Sequence, residues 1–265
     1  GLYFAGQING TSGYEEAGAQ GLVAGINAAL SLDTGKDPLI LSRSDSYIGV
    51  LIDDLTVKST DEPYRMFSSR GEYRLLLRED NAEYRLLEKG YQAGLISQDR
   101  YDRFQREKST VESEIKRLGK TFISPQAHKE ALERMNISAE QGISALQLLK
   151  RQDISYDDIV LLTGEGVRGE TQMDKRIKHQ IEVSVKYEGY IHKQQQDIAK
   201  QAHYDFVRIP DAMDYEKVSG LRREQIDKLT KHAPQNLGQA LKIPGMTPAA
   251  VSILHIYIDN LAKAE

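Results

Sequence analysis

The stretch FAGQINGTSGYEEAGAQG, residues 4–21, joins a short apolar segment, a polar glycine-rich turn and a run of small residues. Alternation and aromatic content from Leu2 to Ile8 predict a buried β-strand. The residues from Tyr14 to about Leu32 predict an α-helix that can lie close against a sheet or a ligand. This is one strand and one helix of an α/β layer, with no sheet to join.

Beyond about Pro38 the pattern of apolar residues is helical. The predicted helices are 45–58, 69–78, 81–93, 97–118, one near 141–150, 156–162, 174–203, 222–232, 236–241 and 247–263. Glycine, proline and small polar residues interrupt them at 120–125, 163–170 and 207–214, and the last of these is the best linker candidate. The sequence therefore predicts a mostly α fold with domains at 1–40, 41–206 and 207–265.

Composition narrows the class of protein. Of 265 residues, 40% are hydrophobic and 28% charged, which is typical of a soluble globular protein. The longest weakly polar run, Ala17 to Leu30, is shorter than the roughly 20 residues needed to cross a bilayer. The absence of cysteine excludes disulfides, thiolate catalysis and cysteine-type zinc sites. No signal peptide is recognisable, so we expect a cytoplasmic protein with no membrane contact.

The 35 basic and 39 acidic side chains give a net charge of −4. Any contact with nucleic acid must therefore come from a local basic patch.

The glycine-rich turn predicts a ligand site. Gly10 and Gly13 allow backbone angles that other residues resist, and Thr11 or Ser12 can cap the following helix. The free N–H groups of a helix start attract negative charge.

Glu15 and Glu16, in the first helical turn, would repel a bare phosphate. A weakly anionic ligand fits better, such as the N1–C2=O edge of a flavin, whose other polar atoms could bond to Gln7 and Asn9. The alternative is an ordinary strand-turn-helix with a tight glycine loop.

Residues 63–78 carry four arginines against one acidic residue, Glu72. Arg70, Arg74 and Arg78 recur every four residues, which predicts a row on one helix face, with Arg65 just ahead of it. Such a row suits a phosphate backbone. The alternative is a solvated face paired with Glu79, Glu83 and Glu88. Gly71 would weaken this helix by about 1 kcal/mol.

Asp53 and Asp54 are adjacent carboxylates. On a helix their side chains diverge by about 100°, so we do not expect them to bind one metal ion together. We interpret them as one cap and one surface charge. The alternative is that one of them faces the flavin pocket and positions substrate.

The segment KYEGYIHKQQQ mixes cations with aromatic residues. Lys186, Tyr190 and Lys193 share a helix face and could contact RNA, the tyrosine by stacking on unpaired bases. The alternative is that Tyr187 and Ile191 pack in a bundle with the lysines in water. None of the six histidines has a spacing suited to a metal.

The last helix is apolar on two sides, which indicates a partner. The first side carries Val251, Leu254, Ile258 and Leu261, and the second Ile253, Ile256 and Tyr257. A weaker alternative is a DNA-binding hairpin at IPGMTPAA. Arg222 stands where a helix cap is needed, so the helix at 222–232 is predicted to be poorly capped.

Five long motifs carry a family resemblance. They are LYFAGQINGTSGYEEAGAQGLVAGINAA, YIGVLIDDL, PYRMFSSRGEYRLLLRED, KYEGYIHKQ and LGQALKIPGMTPAAVSIL. Together they resemble the GidA or MnmG family, the FAD-dependent large subunit of the tRNA uridine 5-carboxymethylaminomethyl modification enzyme. The resemblance covers essentially the whole chain.

The resemblance implies a fold and a set of partners. It implies a Rossmann-type FAD domain, of which residues 1–40 are the strand-helix remnant, then a helical tRNA-binding domain and a small C-terminal helical subdomain. That subdomain is expected to dock a GTPase subunit, MnmE. FAD, NADH and methylene-tetrahydrofolate are implied for the full enzyme, and a homodimer for the full-length protein.

The resemblance also assigns candidate residues, although none for catalysis. The cofactor-binding residues are Gly6, Gln7, Asn9, Gly10, Thr11, Gly13 and Tyr14. The tRNA-binding residues are Arg65, Arg70, Arg74, Arg78, Lys186, Tyr190 and Lys193. No metal site is expected.

The sequence lacks a strand-coupled GxGxxG, the fingerprint that holds a dinucleotide pyrophosphate, since GEGVRG at 164–169 has the wrong spacing. We therefore expect the C-terminal portion of an enzyme, inactive by itself and holding FAD weakly or not at all. The alternative is a stand-alone helical adaptor that binds RNA or protein without catalysis.

Overall fold

The computed structural model describes residues 1–33, 35–58, 62–134, 137, 141–204, 206–211 and 213–264, except for the side chains at 57, 58, 134, 201 and 262–264. The chain is mostly helical. Its α-helices are α1 (Tyr14–Leu30), α2 (Tyr47–Asp53), α3 (Ala82–Gln92), α4 (Gln98–Lys120), α5 (Lys129–Arg134), α6 (Ala145–Leu149), α7 (Tyr156–Thr163), α8 (Gln172–Tyr204), α9 (Arg223–His232), α10 (Leu237–Lys242) and α11 (Pro248–Ala264). A π-helical turn, Asp54–Lys58, extends α2.

Regular β-structure in the described part of the chain is a two-stranded antiparallel ladder. Strand β1 (Phe122–Ile123) pairs with β2 (Ile143–Ser144). The mostly α fold class predicted from the sequence is confirmed.

The chain packs as two units. One contains Gly1–Tyr73 and Lys193–Glu265, and the other Arg74–His192. The domain boundaries predicted at 40 and 206 stay a prediction.

The core of the unit Arg74–His192 follows helical periodicity. Val111 and Leu118 lie seven residues apart on α4, and Ile177, Ile181 and Val185 lie four apart on α8, so each set occupies one helix face. These side chains pack with those of α6 and α7. Local sequence pattern and burial therefore agree in this unit.

The C-terminal bundle, which we define as α9, α10 and α11, has its own core. Leu229, Leu237, Val251 and Leu254 are fully buried in it. Ile209, from the segment 207–214, is buried in the same core.

The predicted linker at 207–214 is therefore partly built into the bundle. The Leu237 N–H donates to the Val207 carbonyl at 3.0 Å, and the Ile209 N–H donates to the Gln235 carbonyl at 2.9 Å. Ala212, within the same segment, lies outside the described residues.

The buried strand predicted at Leu2–Ile8 is not observed. Residues 1–5 have no regular secondary structure, and Gln7–Asn9 forms a short 3₁₀ helix. Leu2 and Ile8 are exposed. A strand is held by hydrogen bonds to a neighbouring strand, and none of the described residues provides one here.

The helix predicted over 69–78 is also wrong. A 3₁₀ turn covers Ser68–Arg70, and Gly71 is extended with φ −83° and ψ 120°. The Tyr47 ring packs so close to Gly71 that a Cβ there would lie 2.8 Å from Tyr47 Cε1. Arg43 also donates to the Arg70 carbonyl at 3.2 Å, which takes the acceptor that a helix would use. Gly71 therefore relieves crowding and does not weaken a helix.

No helix within the described ranges is both long enough and apolar enough to span a bilayer.

Candidate functional site

The glycine-rich turn ahead of α1 is held by one buried amide. Gln20 Oε1 accepts from the Gly6 N–H at 3.1 Å and from Asn9 Nδ2 at 2.8 Å. Gln20 Nε2 donates to Thr11 Oγ1 at 2.9 Å. Gly6 and Gly10 have φ of 88° and 83°, which glycine adopts without strain. Gln20 was missed as a site residue, although its amide, with Asn27 seven residues further on, stands out among the small residues of this helix.

The predicted cofactor residues divide into two groups in this turn. Gln7, Asn9 and Tyr14 are exposed, whereas Gly6 and Thr11 are buried. Because the Thr11 hydroxyl is already bonded to Gln20, its side chain serves the turn itself. Gly10 and Gly13 contribute backbone.

The start of α1 is not capped as predicted. Its N-cap is Gly13, and no side chain accepts a hydrogen bond from the first turn in the manner of a cap. The prediction that Thr11 or Ser12 caps the helix was therefore wrong. Gly13 provides no side-chain acceptor at the helix start, and the carboxylate of Glu16 lies there instead.

Glu16 places a buried carboxylate in the first turn of α1. Its Oε1 accepts from the Met66 N–H at 2.7 Å and lies 3.7 Å from Arg65 Nε. The hydrogen bond from Met66 holds the pKa of Glu16 below its ordinary value, against the opposing effect of burial. Its Oε2 has no hydrogen-bond partner in the described part of the chain and lies against Gly13.

The turn is joined to a segment some fifty residues further on. The Tyr64 N–H donates to the Gly10 carbonyl at 2.7 Å, and the Ser12 N–H donates to the Tyr64 carbonyl at 3.2 Å. Together with Glu16, these bonds fix residues 64–66 beside the turn. The predicted cofactor turn and the first predicted RNA-binding arginine thus belong to one local structure.

Tyr64 anchors this structure below the surface. Its hydroxyl donates to Asp54 Oδ2 at 2.9 Å, and the Arg70 guanidinium lies 4.3 Å from the centre of its ring. Burial and the Asp54 carboxylate raise the pKa of Tyr64. The phenol therefore stays protonated and holds its place as a hydrogen-bond donor.

Asp54 is the C-cap residue of α2, but neither of the two adjacent carboxylates is the surface charge that was predicted. Asp54 is 1% exposed and bonds to Arg43 Nη1 at 2.6 Å. Asp53 bonds to the same nitrogen at 3.1 Å. Arg43 also forks two bonds to Glu72, at 2.7 and 2.9 Å. Sequence reasoning missed Arg43, because its partners lie between seven and 29 residues away.

The four arginines of residues 63–78 do not form one helical row. Arg65 and Arg70 belong to the unit with the turn, whereas Arg74 and Arg78 belong to Arg74–His192. Arg74 is exposed. Arg78 bonds to Asp80 at 3.0 Å and to the Leu75 carbonyl, so its charge is partly committed within the protein.

Two of the three acidic side chains suggested as partners of that row, Glu83 and Glu88, bond to other groups. Glu83 pairs with Arg100 at 2.9 Å and also with Arg176. Glu88 accepts from the Tyr101 hydroxyl at 2.6 Å.

On α8 the predicted RNA-binding residues differ in availability. Tyr190 is 68% exposed and Lys193 is exposed. Lys186 is paired with Glu182 at 2.8 Å and bonds to the Gln152 carbonyl at 3.4 Å.

A cavity of about 550 Å³ adjoins the turn. Tyr3, Phe4, Ile8 and Asn9 line it from the N-terminal segment, and α1 and α2 close its other sides. Among the predicted cofactor residues Asn9 lines this cavity, whereas Gln7 and Thr11 do not.

Family models assign the class of protein to which this architecture belongs. Residues 98–195 match the model described as the tRNA modifying enzyme MnmG/GidA C-terminal helical domain, and residues 197–265 match the corresponding C-terminal helical bundle. Residues 1–36 match the model Glucose inhibited division protein A. The first two models describe C-terminal helical parts of a class of tRNA-modifying enzymes. The chain belongs to the MnmG/GidA family.

Curated relatives agree with this assignment. The chain is 52% identical, over 99% of its length, to the tRNA uridine 5-carboxymethylaminomethyl modification enzyme MnmG of Pelobacter propionicus. It is 49% identical, over 98% of its length, to the enzyme of the same name from Listeria monocytogenes. It spans about 41% of the length of these relatives.

A solved structure of Aquifex aeolicus GidA is similar as well. It superposes with a TM-score of 0.69 at 38% identity, covering 96% of this chain and 39% of that one.

Proposed function

We propose that this chain is the C-terminal part of a flavoenzyme that, with a GTPase partner, adds an aminomethyl or carboxymethylaminomethyl group to C5 of the wobble uridine of tRNA. The observation that carries the proposal is the bonding of the turn at Gly10–Ser12 to Tyr64. It sets Arg65 beside the proposed cofactor turn, so an RNA phosphate held there would lie near the reactive ring.

The turn fits one edge of a flavin. Gln7 and Asn9 are exposed polar side chains, and the N-cap of α1 is Gly13, which has no side chain to occupy the helix start. Bound FAD would supply electron transfer. The negative charge of Glu16 lies at the helix start, so this end favours a ring edge with partial charge over a phosphate. NADH and methylene-tetrahydrofolate belong to the full enzyme in this proposal.

The RNA-binding role rests on cations with exposed side chains, of which Arg65 and Arg70 form only long ion pairs, 3.7 Å from Glu16 and 4.0 Å from Asp54. The geometry favours Arg65, Arg70, Arg74 and Lys193, with Tyr190 as a stacking platform. Arg78 and Lys186 contribute less, because each is already bonded to a carboxylate.

The C-terminal bundle is proposed to dock the GTPase subunit. Ile256 is 62% exposed and Leu261 39% exposed on α11. The docking proposal rests on these exposed side chains, because Val251, Leu254 and Ile258 of the first predicted apolar side are buried in the bundle's own core. The full-length protein is proposed to be a homodimer acting in the cytoplasm.

Salt-dependent tRNA binding tests the RNA-binding role. Replacing Arg74 with alanine should weaken binding of tRNA to the chain and lower the slope of log affinity against log salt by about one. The matched control is Lys116→Ala, an exposed cation on α4 outside the proposed surface.

An unchanged slope in Arg74→Ala, or an equal loss in Lys116→Ala, would contradict the proposal. Equal affinity for duplex DNA would favour the adaptor or DNA-binding alternatives. Binding without any activity in the reassembled full-length enzyme would favour the adaptor.

A further inference from the structure

Asp53 bonds to two cations from distant parts of the chain. Its Oδ2 lies 3.1 Å from Arg43 Nη1, and its Oδ1 lies 2.9 Å from Lys242 Nζ. Lys242 ends α10 in the C-terminal bundle, 189 residues away in sequence. One carboxylate therefore connects the bundle to the segment that carries the candidate site.

The position of Asp53 is unfavourable unless these partners are present. Its side chain is 20% exposed, so its charge is only partly solvated. Asp54 adds a second negative charge next to it. Arg43 and Lys242 offset both charges, so the arrangement is stable only while the cations stay in place.

Apolar packing is incomplete around this ion pair. A cavity of about 600 Å³ lies beside it, between Ile40–Ser44 on one side and Leu241–Pro244 on the other. Close packing normally fixes how two elements lie against each other. Where a cavity interrupts this packing, hydrogen bonds and ion pairs contribute more to the relative orientation of the two elements.

We propose that Asp53 is a positioning residue that, through Lys242, sets the orientation of the C-terminal bundle relative to residues 64–70. Its functional consequence rests on the proposed function, in which the bundle docks the GTPase and residues 64–70 hold RNA. Asp53 then determines where the docked partner lies relative to the bound tRNA. Arg43 completes the connection, because it bonds Asp53, Asp54 and the Arg70 carbonyl together.

A distance measurement in the intact chain tests this directly. The chain has no cysteine, so Ala29→Cys on α1 and Ala249→Cys on α11 allow two nitroxide labels without further changes. Both sites are exposed. Pulsed electron spin resonance then reports the distance distribution between the two segments.

Lys242→Met should broaden that distribution by about twofold or more, because the bundle gains orientations that the ion pair excludes. Lys242→Arg should keep the narrow distribution, since it restores the charge. Lys231→Met, an exposed lysine on α9, is the matched control and should leave the distribution unchanged.

Asp53→Asn provides an independent variant that should broaden the distribution as Lys242→Met does. Circular dichroism and thermal unfolding verify that each variant is folded. A Lys242→Met protein that is folded and keeps the wild-type distribution would overturn the proposal.

The experiments distinguish a failure of the proposed function from a failure of the positioning role of Asp53. If the distribution broadens but Arg74→Ala leaves tRNA binding unchanged, Asp53 positions the bundle and the RNA-binding role is wrong. If Arg74→Ala weakens binding while Lys242→Met leaves the distribution unchanged, the reverse holds.

Discussion

At the scale of single residues, Glu114 shows how a buried charge is made tolerable. It is 8% exposed on α4. Arg117 forks two bonds to it, at 2.8 and 2.6 Å, and the Tyr156 hydroxyl donates at 2.6 Å. The Val167 N–H in turn donates to that hydroxyl at 3.0 Å. The loop after α7 is thereby tied to the core through a carboxylate.

These partners decide the ionisation of Glu114. Burial opposes the charged form, but hydrogen bonds from Arg117 and Tyr156 hold the pKa of Glu114 below its ordinary value of 4.5. A carboxyl with a depressed folded pKa contributes stability above its unfolded pKa. That contribution is lost as the pH falls through the lower, folded value.

We therefore expect Glu114→Gln to lower the free energy of unfolding by about 2 kcal/mol at pH 7, since Arg117 loses its nearest charged partner and keeps only the longer pair with Glu165 at 3.4 Å. The difference from wild type should shrink as the pH falls below about 4. Urea unfolding at a series of pH values from about 3 to about 7 measures the stability difference and its dependence on pH. Glu112→Gln, exposed on the same helix, is the control. A difference that stays constant with pH would refute this account.

Among the elements, some helix starts have a capping side chain, whereas α9, like α1, α3 and α4, does not. Ser46 caps α2, Ser155 caps α7 and Asn236 caps α10, each accepting from a backbone N–H. Arg222 has no acceptor to offer at the start of α9. Gln225 Oε1 does accept from the Arg222 N–H at 3.0 Å, which is one half of a capping box.

Replacing Arg222 with serine should complete that box and raise the free energy of unfolding by about 1 kcal/mol. Denaturant unfolding of the chain measures the change. Arg223→Ser, one position inside the helix, is the control and should give no gain, because a first-turn serine cannot act as the N-cap. Equal effects at both positions would show that loss of positive charge, and not capping, is responsible.

At the scale of the whole molecule, the chain provides one side of the proposed cofactor site. The turn offers Gln7, Asn9 and backbone N–H groups, and the sequence contains no strand-coupled GxGxxG to hold a pyrophosphate. The chain spans about 41% of its relatives' length. Cofactor affinity should therefore depend on contacts that this chain does not supply.

We expect FAD to bind the chain with a dissociation constant of about 100 μM or weaker, because only a small part of the ligand is contacted. Flavin fluorescence and isothermal titration calorimetry measure it. A chain extended to the full length of its relatives should bind far more tightly. Stoichiometric binding of FAD to the 265-residue chain at micromolar concentration would contradict the half-site.

The periodicity of apolar residues in the sequence predicts the long helices correctly. It located α1, α3, α4, α8 and α11 to within a few residues. Of these, α4, α8 and α11 carry an apolar face of several turns, which helical periodicity alone reveals. The short strands β1 and β2 were missed, since two residues give too little periodicity to recognise.

The sequence predicted the parts of the candidate site but not the contacts that join them. The sequence singled out the turn at 6–14 and the arginines of 63–78 as separate features. They are joined by backbone hydrogen bonds of Tyr64 with Gly10 and Ser12. Backbone groups are the same in every residue, so neither segment has a sequence pattern that predicts these bonds. Glu16 was recognised for its charge at the helix start, but its bond to the Met66 N–H was not.

The mostly helical fold, the positions of the long helices and the family could be predicted from the order of residues within short windows. Long-range contacts were needed to show that Leu2–Ile8 is not a strand, that 69–78 is not a helix, and that Asp53 joins Arg43 to Lys242. A strand requires a partner and an ion pair requires a second charge. Both come from parts of the chain that lie close in space only after folding.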